Sequence, residues 1–256
     1  MRMRFALAVA ALTLVPAAAF AQNNTAGAAK NIMFGSTSQD FIGAAPNDQN
    51  WFRFQVKAGR SYCVEVDNGE TDVSVRDPFV SVFRSNGTTL IGSNEDIGDE
   101  PDASLLSRVC YISGFTEDNL ANVIDSPITI GTPGNFRIRV VDTTVFSPWF
   151  FSGSGFEAFI LIKNTTDTPR SATVTLYNTA GTVTGTPQTG TVPVNGSFNL
   201  QVSATPPTGF GLASASGGVQ IAHTGPPGAL IANVTSLSFG SGVSFDTPAS
   251  PRQDFR

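Results

Sequence analysis

Apolar and polar residues alternate in short runs along most of the chain, and Gly, Pro, Asn and Asp interrupt the runs every eight to twelve residues. Alternation of period two puts successive side chains on opposite faces of an extended strand. Strands are therefore predicted over 51–56, 61–66, 78–84, 108–112 and 135–141, then over 156–163, 172–177, 197–202, 219–223 and 229–234. Helical periodicity is almost absent. Many short strands with regular turn signals indicate a sandwich or barrel. Asn86-Gly87 is a hairpin signal, and the Thr/Gly-rich stretch 179–190 has hairpin spacing. The expected fold class is all-β, with two β-sandwich domains after a signal peptide.

The signal peptide is read from the first residues. Arg2 and Arg4 precede an apolar run from Phe5 to Pro16, and Ala19-Phe20-Ala21 is a small-residue cleavage site before polar Gln22. Cleavage is expected between Ala21 and Gln22, and no membrane insertion is expected after it. Such a leader implies a secreted or periplasmic protein, in a compartment where disulfides persist. Charge then divides the remainder. Residues 22–146 hold nine Lys/Arg and sixteen Asp/Glu; residues 147–247 hold only Lys163, Arg170, Glu157, Asp167 and Asp246. The expected organisation is a signal peptide over 1–21, sandwiches over 22–146 and 147–247, and a polar tail over 248–256.

Composition removes several kinds of chemistry. The net charge is −5 without a basic run, which argues against a nucleic-acid partner. One histidine and two cysteines cannot furnish a Cys/His zinc site, and any Ser-His-Asp or Cys-His mechanism would have to use His223. His223 ends a predicted strand and reads as a surface or hydrogen-bonded residue. No G-x-S-x-G elbow occurs. The chain is expected not to be an enzyme.

Cys63 and Cys110 fall in predicted strands and are expected to form a disulfide. Tyr62, Val64 and Val66 share one face of their strand, so Cys63 should lie on the other, outside the main core. Glu95, Asp96, Asp99, Glu100 and Asp102 crowd one glycine-containing loop, and Asp77 opens the preceding hairpin. Hard carboxylate oxygens of this kind suit calcium, with Asp77, Glu95, Asp96 and Asp99 as the ligand set. A solvated acidic loop and a carboxylate pair for glycoside hydrolysis are the other readings. Phe146, Trp149, Phe150, Phe151 and Phe156 lie close together in sequence. They are expected to pack between the domains, an adhesive or sugar-stacking surface being the alternative.

Three stretches in the first half carry a family resemblance. Residues 49–62 read as strand, Ala58-Gly59 turn, strand. Residues 77–90, beginning Asp77-Pro78-Phe79 and containing Asn86-Gly87, read as a hairpin leading into Asn94-Glu95-Asp96. Gly134-Asn135-Phe136-Arg137-Ile138-Arg139-Val140 reads as a closing strand. In this order, over residues 40–142, they resemble the bacterial pre-peptidase C-terminal domain. The resemblance implies an eight-stranded jelly-roll-like sandwich that is accessory rather than catalytic, some relatives binding calcium and some collagen. The second half, with Phe159–Thr166 followed by Ala172–Tyr177, is similar to Ig-like sandwiches of exported bacterial proteins. The functional expectation is a non-catalytic accessory, binding or structural protein whose partner is a protein or polysaccharide of the cell envelope or extracellular matrix. The alternatives are a secreted hydrolase with a carboxylate site and a self-associating envelope component.

Overall fold

Residues with one apolar face and one polar face gain most by pairing into sheets and burying the apolar faces together. The chain does this twice. A computed structural model describes residues 23–42, 48–67, 78–94, 107–125 and 134–251. The first sandwich contains β1 (Lys30–Asn31), β2 (Thr37–Ile42), β3 (Gln49–Val56), β4 (Ser61–Asp67), β5 (Pro78–Phe83), β6 (Leu90–Asn94), β7 (Ser107–Ile112), β8 (Glu117–Asp125) and β9 (Gly134–Asp142). Its two sheets run β2-β9-β4-β7 and β1-β3-β8-β5-β6. Without the short parallel β1, this is the strand order of an eight-stranded jelly roll.

The alternation is clearest in β5, β7 and β9, where buried and half-buried residues succeed each other. Phe136, Ile138 and Val140 of β9 meet Phe52, Phe54, Tyr62 and Val64 in one core. Phe52 and Phe136 pack edge to face, with ring centroids 5.9 Å apart. β8 escapes the sequence pattern because its first three residues, Glu117, Asp118 and Asn119, are polar. It nonetheless pairs with both β3 and β5, and Asn119 is buried while donating to the Tyr111 hydroxyl at 2.7 Å. The Asn86-Gly87 signal does lie in the connection of a hairpin, β5 to β6. Asn86 Oδ1 accepts from the Thr88 and Thr89 amides, and Gly87 takes φ +69°.

The second sandwich contains β10 (Val145–Ser152), β11 (Phe156–Asn164), β12 (Arg170–Asn178), β13 (Val183–Val192), β14 (Ser197–Gln201), β15 (Ala215–His223), β16 (Leu230–Ser238), β17 (Ser244–Pro248) and β18 (Ser250–Pro251). Its sheets run β13-β12-β15-β10-β18 and β14-β11-β16-β17 around a separate core that includes Phe150, Ile160, Ile162, Leu176 and Ile221. Pairing of β11 with β14 and of β12 with β15 matches the inner pairs of an Ig-like sandwich. The outer strands are exchanged, with β10 beside β15 and β16 beside β11. Buried Asn164 ends β11. Its Nδ2 donates to the Thr168 and Val192 carbonyls, and its Oδ1 accepts from Thr166. The Asn-Thr-Thr signal at 164–166 is thus a side-chain-built turn. Residues 250 and 251, expected in a polar tail, pair with Phe146 and Val145 instead. The charge step between 146 and 147 falls inside β10.

The sandwiches meet through a buried polar junction. Asp142, Thr143 and Thr144 join β9 to β10 and are all buried. The Thr143 amide donates to the Ser61 carbonyl at 2.9 Å, and the Ser61 amide donates to Thr144 Oγ1 at 3.0 Å. Asp142 Oδ1 accepts from the Thr144 amide, while Oδ2 lies 3.4 Å from Arg60 Nη1. On the other side Gln220 Nε2 donates to the Gly59 carbonyl at 2.7 Å. Cys63 and Cys110 face each other across β4 and β7 and form a disulfide. Cys63 does lie off the first core, but the second sandwich covers it completely, and its Sγ lies 3.4 Å from the Gly225 carbonyl. A disulfide sulfur has no proton to donate, so this contact is packing.

His223 is also sealed here, at 1% exposure, not at the surface. Its Nδ1 accepts from the Gly225 amide at 3.1 Å, and the ring is also hydrogen-bonded to the Thr143 backbone. An accepting Nδ1 leaves the neutral ring's proton on Nε2. Burial holds its pKa down at about 4, and the Arg170 charge acts in the same direction.

Two outcomes follow from this junction. Between a folded pKa of about 4 and an unfolded one near 6.5, the unfolded chain binds the extra proton. Stability is therefore complete above pH 6.5 and falls as pH drops toward 4, by about 2 kcal/mol between pH 6.5 and 5. Urea titrations at these pH values should show the loss, and His223→Gln should flatten it. Replacing Cys63 and Cys110 with Ala frees a loop of sequence separation 47. Chain entropy puts the cost of that release at about 4 kcal/mol. A thiol assay on the denatured, unreduced protein should find no free thiol.

Candidate functional site

Beside the junction, a groove of about 610 Å³ lies on the outer face of the sheet β13-β12-β15-β10-β18. Its floor is β15, the central strand. Val219 and Ile221 point into the second core, so Gly218 and Gln220 point outward. Gly218 stands directly opposite Tyr177 of β12, and Gln220 stands between Thr175 of β12 and Phe146 of β10. With no side chain at 218, the face has a gap beside Tyr177.

The opposite wall depends on an irregularity in β10. Its register with β15 shifts between Ser147 and Phe150, so Pro148 and Trp149 are both exposed. A bulge of this kind re-aims side chains. Trp149, 43% exposed, lines the groove instead of entering either core. Adjacent strands lie about 4.8 Å apart. The strands bearing Trp149 and Tyr177 flank β15 and are therefore about 10 Å apart. At the junction end the groove is closed by Phe146, by Arg60 placed 6.0 Å from the Phe146 ring centroid, and by Gln220. The Tyr177 hydroxyl makes a long bond to Gln220 Oε1, 3.5 Å.

The polar side chains of this wall are mostly neutral. Asn178 Oδ1 accepts from the Ala180 and Thr182 amides, which turns the chain at the groove's rim. Arg60 is the charged residue of the lining, and Asp142 lies beside it. The lining supplies flat rings and groups that both donate and accept hydrogen bonds, the usual makeup of a small-ligand site. Its volume falls within the about 300–1,000 Å³ typical of such sites.

The aromatic cluster expected between the domains is dispersed. Phe150 is in the second core, Phe151 and Phe156 pack on each other and onward to Phe245, and only Phe146 lies at the junction. The sequence pointed to Trp149 but not to its neighbours, since the pairing of Tyr177 with Gly218 joins positions 41 residues apart. Tyr177 stood in a predicted strand, and a glycine pair inside another strand at 217–218 was the available signal.

The calcium candidates Asp77, Glu95, Asp96 and Asp99 lie outside the described residues, as do Ala21 and Gln22 at the expected cleavage site. Among the described residues no three His, Cys, Asp or Glu side chains gather to hold a metal ion. A second hollow, of about 300 Å³, lies on the outer face of the first sandwich and is lined mostly by charged side chains. Glu65 of β4 stands between Arg108 of β7 and Arg139 of β9 in register and bonds both, and Asp67 pairs with Arg137 at 2.7 Å. These are cross-strand ion pairs in which three arginines share two carboxylates. Among the described residues no helix is long and apolar enough to cross a membrane. No family model matches the chain, and no curated protein does.

The two floor glycines should answer differently to substitution. At Gly217, φ is +147° and a Cβ would fall 1.9 Å from the Tyr177 carbonyl oxygen. Gly217→Ala should cost about 2 kcal/mol or more in chemical denaturation. At Gly218 a Cβ would meet nothing nearer than 3.5 Å. Gly218→Ala should stay within about 1 kcal/mol of the parent.

Proposed function

We propose that the protein is exported, is not an enzyme, and holds a ligand of the cell envelope or extracellular matrix in the groove beside Trp149. The observation that carries this reading is the bulge in β10. It keeps an indole out of both cores and sets it against a cleft floored by glycine. Fully burying an apolar side chain is worth about 1.5–3 kcal/mol, and a ligand covering the exposed part of Trp149 would recover some of that.

The side chains around the cleft support binding over proton transfer. Among the described residues its lining holds Arg60 and Tyr177 but no carboxylate, histidine or cysteine side chain to relay a proton. Export is supported by the basic, apolar and small-residue segments before Gln22 and by the disulfide. The jelly-roll strand order over β2–β9 agrees with the resemblance to the pre-peptidase C-terminal domain. On this reading that half is an accessory module, and the second half completes the binding site.

The sequence has two tryptophans, and Trp51 is buried against Phe83. A Trp51→Phe variant therefore leaves Trp149 as the only indole reporter. Soluble oligosaccharides and proline-rich peptides, titrated singly, should include at least one that changes its fluorescence saturably. Chromatography after long incubation should return that compound intact. If no compound gives a saturable change, or the bound one is cleaved, the reading is wrong.

A further inference from the structure

We infer that the groove takes an uncharged pyranose chain, with one sugar ring seated over Gly218 between Trp149 and Tyr177. The inference rests on the binding reading above and narrows it to one ligand chemistry. Three features of the cleft select a sugar.

The first is spacing. The strands bearing the two rings are about 10 Å apart, with no side chain on the strand between them. That gap admits one saturated six-membered ring with an aromatic on either side. The C–H face of a pyranose is apolar and lies flat against an indole or phenol ring. Its rim of hydroxyls then reaches the Thr179 hydroxyl, which both donates and accepts, and the Asn178 side-chain nitrogen, which donates.

The second is the state of the floor. A peptide that binds by strand addition must pair its backbone with an open sheet edge. β15 is the central strand, and its backbone is paired on both sides by β12 and β10. The floor thus has no edge for another chain to extend. A sugar needs none, since side chains and rings suffice to hold it.

The third is charge. Arg60, the cation in the lining, already has Asp142 at 3.4 Å and the Phe146 ring beneath it. An acidic ligand would have to compete with Asp142 for it, whereas a neutral one leaves that pair intact. Neutral glycans are therefore favoured over uronic-acid polymers.

The test is electrophoresis of the full chain through native gels containing one soluble polysaccharide each: hydroxyethylcellulose, arabinoxylan, galactomannan, laminarin or dextran, with polygalacturonate and alginate as acidic counterparts. At least one neutral polymer should retard the protein. Calorimetry with the matching oligosaccharide should give the same affinity in about 1 M salt, where charge pairs are screened within about 3 Å. Trp149→Ala should weaken binding about tenfold or more. Gly218→Val should do the same by filling the floor, and Trp149→Phe should retain part of the affinity. Thermal midpoints of the variants separate loss of binding from loss of fold. Retardation only by acidic polymers, fluorescence changes only with proline-rich peptides, or glycan binding indifferent to Trp149→Ala would each overturn the sugar assignment. The first two leave a binding protein; silence of Trp149 toward every compound removes the binding reading as well.

Discussion

The hydrogen bonds between Ser61 and the segment Asp142–Thr144 fix how the two sandwiches meet. Linkers between sandwiches are ordinarily exposed and loosely held. Here the connecting residues are buried, and the Thr143 amide and both threonine hydroxyls are spent on Ser61 at the start of β4. A buried polar group without a partner costs about 1–3 kcal/mol, so several such groups make the junction intolerant of displacement. A shift between the sandwiches would break these bonds together with the one from Gln220 to Gly59. It would also uncover Cys63 and His223. The groove inherits its shape from this constraint, because Arg60 comes from the first sandwich and the other groups closing that end come from the second.

The junction also accounts for residues that look misplaced on either sandwich alone. Cys63 is on the outer face of its sheet, where a small apolar group would ordinarily be wetted, yet it is wholly covered. His223 ends its strand but lies among the Thr143 and Gly225 backbone groups, and the surroundings favour its uncharged form. One step along β4 the same outer face becomes charged, with Glu65 bonded to Arg108 and Arg139. The face therefore changes from covered to wet between Cys63 and Glu65. The sequence marks that edge by placing a carboxylate two residues after a cysteine.

The strand pattern was legible wherever a strand has one wet face and one dry face. β5, β7 and β9 follow the alternation, and the expected facing of Tyr62, Val64 and Val66 is their facing in the core. Prediction failed where tertiary pairing outweighed local preference. β8 opens on Glu117-Asp118-Asn119 yet runs between two partners; β13, though mostly exposed, forms the hairpin with β12 that the Thr/Gly-rich stretch 179–190 indicates. β10 was hidden by Pro148, and residues 250–251 by their polarity, although both pair in the sheet. For the groove, sequence could single out Trp149 but not place it. Its position depends on a bulge and on the pairing of Tyr177 with Gly218, and neither leaves a periodic trace.

That dependence also bears on how such a cleft arises. A cleft cut into the flat face of a sheet needs a missing side chain on one strand and raised ones on the strands beside it. Gly218 supplies the first, and Tyr177 and Trp149 supply the second. Gly217 has a different reason to be glycine, since its conformation and its closeness to the Tyr177 carbonyl exclude a Cβ whatever occupies the groove. Gly218 has ordinary backbone dihedrals and room for a methyl group, so the fold alone does not require glycine there. In mid-strand a glycine costs about 0.5–1 kcal/mol relative to alanine. Keeping one where alanine would fit is a cost to stability, and the space it leaves open beside an exposed indole is the feature that a ligand would use.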